Sequence, residues 1–479
     1  ARMPEDLDVR DIGAGISGIN AGYRLAQRCP KKTFAILEGR DALGGTWDLF
    51  RYPGIRSDSD MFTLGFPFRP WRSDQVIADG KDILAYLNET ARVTGVAEKI
   101  RFGHRVLRAS WSSDAAKWTV EATKKDGTHV VFTCRFLFMC TGYYDYAAGY
   151  TPEWPGVETF RGRIVHPQKW TEDVAWEGKR VVVIGSGATA VGLVPALAEK
   201  AAHVTMLQRS PSYVMSFPGV DPMSKKLGPH VMRVRNTALG KAVYIFCRKF
   251  PGKAKELLVE SVKKRVGDGY DVGTHFTPSY MPWDQRLCLV RDGDLFKRIR
   301  EGKVDVVTDH IESFSENGIR TKSGREIEAD LVVTATGLNV RLLGGVPLEI
   351  DGERVEMTKK TMYKAALLSD VPNLALSLGY VNASWTLRAD LICEYVCRLL
   401  NAMDKKGVRV VTARLDDSVT ITDEPVMSLT SGYMQRARAS LPKQGVKRPW
   451  RNVQGYLGDL LALRWARVDD GVLHFEGRS

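Results

Sequence analysis

Gly13-Ala14-Gly15-Ile16-Ser17-Gly18 decides the fold. The stretch before it, 7–12, reads as a strand, and Ile19, Tyr23 and Leu25 after it can pack one face of a helix. In a strand–turn–helix unit each glycine of GxGxxG has a physical task. Gly13 permits the tight turn, Gly15 lets a pyrophosphate approach the backbone, and Gly18 lets the helix lie close to the strand. The helix start, with Ser17 in its first turn, offers unpaired N–H groups and a partial positive charge to phosphates. A second strand at 33–37 ends on Glu38, where a ribose hydroxyl has to be gripped. A glutamate with no arginine beside it suits an unphosphorylated adenosine ribose, so this loop predicts an FAD site.

The first strand carries a conflict. Arg10 and Asp11 stand where a parallel strand buried on both faces requires apolar residues. Burying either charge unpaired costs several kcal/mol. The strand ends early, the two side chains find partners, or the stretch is a variant; the sequence leaves all three open.

A second loop, Gly185-Ser186-Gly187-Ala188-Thr189-Ala190, reads GxGxxA after the apolar strand 180–184. The next strand, 203–207, runs out at Gln208-Arg209-Ser210 with no acid at its end. Arg209 and Ser210 suit a 2′-phosphate by charge and hydrogen bond, which selects NADPH over NADH. Two loops of different chemistry predict an α/β chain with two Rossmann-like units and two cofactors. Leu137-Phe138-Met139-Cys140-Thr141-Gly142 and Asp330-Leu331-Val332-Val333-Thr334-Ala335-Thr336-Gly337 each read as a strand and turn, at the exit from the first unit and the return to it. The expected organisation is an FAD domain in two parts, 1–154 and 331–479, with an NADPH domain inserted at 155–330. Beyond the amphipathic helix that follows Asn382-Ala383-Ser384-Trp385, the C-terminal part has no readable role.

With 479 residues, the chain needs more than one core. Its 44% apolar and 26% charged content is that of a globular protein. No uninterrupted run of about 18 apolar residues predicts a spanning helix. The polar start Pro4-Glu5-Asp6 does not read as a secretory leader. Seven scattered cysteines without a C-x-x-C pair argue against a dithiol centre, a metal site or a disulfide framework, and a reducing cytoplasm is expected. Of the formal charge of +13, residues 223–266 carry twelve Lys or Arg against Glu256 and Glu260. They lie in a helical, Pro-punctuated stretch, 212–282, too long for a loop and able to cap the active site. A solvated helical face is the first reading of this charge, and a weak contact with an anionic membrane surface the lesser one. No recognition motif accompanies it, so no nucleic acid is expected. Oligomeric state leaves no signal.

Between the loops lies Phe160-Arg161-Gly162-Arg163-Ile164-Val165-His166-Pro167-Gln168-Lys169-Trp170, or F-x-G-x-x-x-H-x-x-x-W. It resembles the fingerprint of type I Baeyer–Villiger monooxygenases. Nearly the whole chain resembles the ethionamide-activating branch of that class, through 44–61, 184–210, 282–289, 382–387 and Leu441-Pro442-Lys443-Gln444-Gly445. The resemblance implies an enzyme that uses FAD, NADPH and O2 to convert ketones to esters or lactones through a C4a-peroxyflavin, and that also oxidises sulfides. Two positions depart from the pattern: Thr171, where Pro or Asp is usual, and Gln285, where Lys is usual.

The same resemblance implies that Arg286, in Met281-Pro282-Trp283-Asp284-Gln285-Arg286-Leu287-Cys288, is the catalytic arginine. A permanent cation suits the task, because a peroxide anion and then a tetrahedral oxyanion need stabilising. Such a charge in a dry site needs a counter-ion, and Asp58 is the expected one. It ends the stretch that begins Gly44-Gly45-Thr46-Trp47, in which Gly45 gives passage to a diphosphate and Trp47 a flat wall, while Pro53-Gly54 turns the chain to present Asp58. Thr46, Asp58 and Val106 complete the expected cofactor contacts. His166 and Trp170 are expected to shape the hinge between domains, with no base role for His166.

Two other functions compete, and a third is excluded. A flavin monooxygenase confined to soft nitrogen or sulfur is opposed by Trp170 and Arg286. A membrane-surface or nucleic-acid binder with a vestigial flavin fold would rest on 223–266. A pyridine-nucleotide disulfide reductase lacks its C-x-x-C.

Overall fold

The computed structural model describes residues 4–427 and 429–478. The chain opens with β1 (Glu5–Ile12), turns at the first glycine loop into α1 (Ile16–Arg28), and returns as β2 (Phe34–Leu37), parallel to β1. The short β3 (Ile100–Arg101) extends the sheet beyond β2. An antiparallel meander follows: β4 (His104–Ser112), β5 (Lys117–Lys124) and β6 (His129–Met139). One edge of β6 pairs β1 in parallel. Its other edge is shared between β5 and, nearer the site, the late strand Leu374–Leu376.

The second sheet is wholly parallel. Its strands are β7 (Arg163–Val165), β8 (Arg180–Ile184), β9 (His203–Gln208), β10 (Val304–Thr308) and β11 (Leu331–Thr334), in the spatial order β10-β9-β8-β11-β7. Helix α2 (Ala188–Leu197) follows its glycine loop. Val181, Val182, Val183, Val332 and Val333 are all fully buried, as strands covered on both faces require.

Between β9 and β10 the basic stretch forms α3 (Ser224–Lys249) and α4 (Pro251–Val266), with α3 broken near its start at Gly228-Pro229. Arg233 of α3 donates to the carbonyls of Phe62, Thr63 and Gly65, which fixes the helix to the first unit. Helix α5 (Trp385–Lys406) lies on α1, joined by a two-pronged Arg24–Asp390 contact at 2.8 and 2.9 Å. Among the described residues no helix is long and apolar enough to cross a membrane.

The conflict in β1 resolves differently for its two residues. The strand does not end early: Arg10 and Asp11 pair with Ala35 and Ile36 on one side and with Leu137 and Phe138 on the other, and both are fully buried. Arg10 finds partners. Its Nη1 donates to Glu5 Oε2 at 3.1 Å, and its guanidinium lies 4.5 Å from the centroid of the Phe132 ring. Asp11 is matched only weakly: neither carboxylate oxygen makes a hydrogen bond of good geometry, and only the nearby Cys140 thiol and Ile12 amide oppose its burial. Burial therefore pushes its pKa well above the usual 3.8.

Candidate active site

Both glycine loops lie at the carboxyl ends of their sheets, where a parallel sheet opens a crevice. In the first, Gly13 has φ +105°, and a Cβ there would meet the Cys140 carbonyl oxygen at 2.4 Å. A Cβ on Gly18 would meet the Gly13 carbonyl oxygen at 1.7 Å. Helix α1 starts from Gly15 without a side-chain cap, so its first N–H groups are left for a ligand. The 44–58 strap crosses the loop so closely that a Cβ on Gly45 would lie 3.0 Å from Gly15 Cα. Glu38 is buried and accepts from the Ala14 amide at 2.8 Å and the Arg40 amide at 2.9 Å. Burial raises its pKa, and the two amides oppose this only in part. The expectation that no arginine stands near Glu38 fails at Arg40, two residues on. That guanidinium, however, is held by Asp48 at 2.5 Å.

A cavity of about 590 Å³ runs from Gly13, Gly15, Ser17 and Glu38 past Gly45, Thr46, Trp47 and Val106 to Asp58 and Arg286. At that far end Arg286 Nη1 lies 3.3 Å from Asp58 Oδ2, with 26% and 48% of the two side chains exposed. Burial works against the guanidinium charge, but Asp58 and lesser neighbours outweigh it and raise the pKa above its ordinary value. The loop that bears Arg286 is braced from outside. Trp283 has φ +69° and packs edge-on against Tyr244 of α3 at 5.5 Å. Arg248 of α3 holds Asp284 at 3.0 Å, and Thr430 donates its amide and hydroxyl to the Asp284 carbonyl.

The strap joins the two sheets. A Cβ on Gly54 would meet the Gly192 carbonyl oxygen of α2 at 2.3 Å, and Arg56 pairs with Asp294 at 2.5 Å. Sequence reasoning missed two residues of the same cavity, Tyr143 and Tyr144, whose hydroxyls are 2.8 Å apart. Tyr143 stacks on Trp385, and Trp385 Nε1 donates to Ser17 Oγ at 2.8 Å. Burial raises both phenol pKa values, so these hydroxyls stay neutral. Their position just after Thr141-Gly142, at the carboxyl end of β6, was the available signal.

The second loop is built alike. Gly185 has φ +128°, Gly187 opens α2 without a side-chain cap, and Ala190 is fully buried where helix meets strand. Ala188 and Thr189 reach the cavity, whereas Gly185, Ser186, Gly187 and Ala190 do not line it. Arg209 and Ser210 are exposed at the end of β9, also outside that cavity, and Ser186 Oγ donates to the Ser210 carbonyl at 3.1 Å.

In the linking stretch His166 accepts the Gln168 amide at Nδ1 (3.1 Å), which leaves Nε2 to donate to the Gly337 carbonyl (3.0 Å). Both nitrogens are committed, and burial lowers the pKa. Trp170 is buried against Trp176. Neither lines the cavity; His166 pins this stretch to the turn after β11 through the Gly337 carbonyl.

Residues 65–382 match the flavin-binding monooxygenase-like family, and residues 12–74 an NAD(P)-binding Rossmann-like domain. The chain is 52% identical over 485 residues to the FAD-containing monooxygenase EthA of Mycobacterium tuberculosis, covering 99% of both chains. It is 46% identical to the probable FAD-binding monooxygenase AlmA of Acinetobacter baylyi, over 100% of this chain and 97% of that one. An open crystal structure of cyclohexanone monooxygenase superposes with a TM-score of 0.76 at 20% identity, covering 99% of this chain and 100% of that one. An oxidised steroid monooxygenase bound to NADP gives 0.72 at 24%, covering 85% and 88%. At these identities the two structures establish the fold.

Proposed function

The chain belongs to the flavin-binding monooxygenase-like family, in the EthA branch, and on that premise we propose that it is an FAD- and NADPH-dependent Baeyer–Villiger monooxygenase. It converts ketones to esters or lactones with O2, and sulfides are further substrates. The Arg286–Asp58 pair, at the end of a cavity that begins at a dinucleotide loop, carries this reading.

The residues fit both cofactors. The glycine cradle, which a Cβ would fill, suits the FAD pyrophosphate, and Glu38 keeps lone pairs for the ribose beside its two amide donors. Residues 1–154 and 331–479 hold FAD in this reading, and 155–330 hold NADPH. Arg209 and Ser210, exposed at the end of β9, select the 2′-phosphate. When bound and reduced by NADPH, FAD supplies an activated oxygen atom derived from O2. The chain does the rest. Tyr143, Tyr144 and Trp385 wall the cavity, and Arg286 aims a fixed cation at the oxygen that becomes negative as the ketone carbon turns tetrahedral. Asp58 orients that cation without neutralising the site fully, being itself half-exposed.

A monooxygenase confined to nitrogen or sulfur makes no carbonyl-derived oxyanion, so Arg286 would have no task there. The test is NADPH consumption by purified protein across a panel of ketones and sulfides, with product masses. Ester from a ketone supports the proposal; sulfoxide with no ester from any ketone overturns it.

A further inference from the structure

Helix α3 turns a row of apolar side chains toward solvent. Val231, Val234, Ala238 and Ile245, with Lys241 between the last two, recur at intervals of three and four and so share one face, and all five are exposed, Val234 by 71%. A second set stands on the turns Tyr456–Asp459 and Leu460–Trp465, where Leu457, Leu461 and Trp465 are 69%, 63% and 70% exposed. The two sets are neighbours: Lys241 Nζ lies 4.0 Å from where a Gly455 Cβ would sit. Single exposed apolar residues are ordinary, but two adjacent exposed apolar rows of this kind mark an interaction surface.

Positive charge borders the patch: Lys241 stands in the row of α3, and Lys249 follows Ile245 at the next interval of four. Residues 223–266 contribute +10 of the chain's +13, twelve Lys or Arg against two Glu. Lys226, Lys241 and Lys249 of α3 are exposed and make no ion pair among the described residues.

We propose that this surface docks on an anionic phospholipid bilayer. Apolar side chains enter the headgroup–acyl boundary, while lysine stems lie along it and their ammonium groups reach the phosphates. The charge argues against other occupants. A second copy of the chain would set the same cations against themselves. A nucleic acid would meet the lysines but leave Val234, Leu461 and Trp465 in water. The placement is consequential, because α3 braces both halves of the candidate active site: Arg233 caps the carbonyls after Asp58, and Tyr244 with Arg248 holds the Arg286 loop. Docked, α3 would hold the two segments it braces, 62–65 and 283–284, on the bilayer side of the candidate site. The proposal rests on the surface alone and stands apart from the Baeyer–Villiger reading.

The experiment is co-sedimentation of the FAD-loaded protein with vesicles of phosphatidylcholine, or of an equimolar mixture with phosphatidylglycerol, at about 0.15 M salt and at about 1 M. Binding to the anionic vesicles alone is expected, weakened but not abolished by salt, since screening removes only the electrostatic share. Combining Val234→Ser, Leu461→Ser and Trp465→Ser should lower the partition coefficient at least about tenfold, with flavin content unchanged. Combining Lys226→Glu, Lys241→Glu and Lys249→Glu should remove the preference for anionic lipid. The proposal is overturned if neither vesicle binds, if the serine variant binds as the parent does, or if the parent dimerises in solution and the serine variant does not.

Discussion

Removing the Arg286 guanidinium should uncouple NADPH oxidation from oxygen insertion. Cofactor reduction and insertion are separate half-reactions, and Arg286 is assigned only to the second. Deleting a preorganised oxyanion donor costs about a hundred- to a thousandfold, or roughly 2.7–4 kcal/mol. Arg286 retains 26% of its side-chain exposure, so water can take part of its place in a variant, and the lower end applies. Arg286→Ala should therefore keep its flavin and still oxidise NADPH, yet form ester about a hundredfold more slowly and release hydrogen peroxide instead. Asp58 should matter less. It is 48% exposed, and a pair so open to solvent is worth about 1 kcal/mol or less, so Asp58→Asn should slow insertion about fivefold at most. Arg286→Lys should recover part of the loss, because it restores the charge without the planar fork. The assay is the ratio of ester to NADPH consumed, with peroxide measured in parallel. Near-parental ester from Arg286→Ala would refute the role. A loss from Asp58→Asn as large as that from Arg286→Ala would refute the division of labour between the pair.

Arg209→Ala should raise the KM for NADPH about tenfold with little change for NADH, since a charge-assisted contact is worth roughly 1.5–3 kcal/mol and this one is exposed; equal losses with both cofactors would argue against the 2′-phosphate assignment. Gly15→Val should give colourless protein, because its side chain would stand between the loop and Gly45, whose Cα is already 3.4 Å from the Cβ position; normal flavin content would move the pyrophosphate elsewhere. Asp11→Val should stabilise the fold by about 1–3 kcal/mol, exchanging a buried carboxyl matched only weakly by the Cys140 thiol and the Ile12 amide for an apolar side chain. It should also flatten a pH slope. The folded pKa is raised above 3.8, so the folded chain holds more protons than the unfolded one between those two values. Stability must then fall as pH rises from about 4 toward the folded pKa, and denaturant titrations across that range should show the fall in the parent and not in Asp11→Val.

Local chemistry made part of this molecule legible. The glycine loops, the apolar runs before them and Glu38 are each readable within a dozen residues, because turn geometry and strand burial are local demands. β8 falls on the same residues as its reading, Arg180–Ile184, while β1 begins earlier than expected, at Glu5. That difference explains Arg10, whose partner Glu5 lies on the added residues and whose ring partner, Phe132, comes from a strand more than a hundred positions on. No local pattern could supply Phe132. The bracing of Arg286 was illegible for the same reason. Asp284 is held by Arg248 and Thr430, one upstream and one far downstream, and neither sits in a recognisable motif. The basic stretch was legible as charge alone. Its apolar row became visible only in the structure, which leaves Val234 71% exposed.

The strap 44–58 shows why the Asp58 end of the candidate site lies on a segment with so little regular structure, a single turn at Thr46–Leu49. A strand or long helix could not touch three separate bodies in fifteen residues. The strap does so by placing glycine at two crossings. Gly45 passes over Gly15 at the first loop, and Gly54 passes under the Gly192 carbonyl of the second unit. Any side chain at Gly54 would collide with that backbone, 2.3 Å away, and push the strap off α2. Asp58, four residues beyond, then meets Arg286 on a loop braced by the insertion. Each contact comes from a different part of the chain, so the geometry of the Arg286–Asp58 pair depends on both units and on α3 being correctly docked. The candidate site is therefore assembled by the packing of the whole chain, and a displacement at Gly54 should reach Asp58 although Gly54 belongs to neither glycine loop.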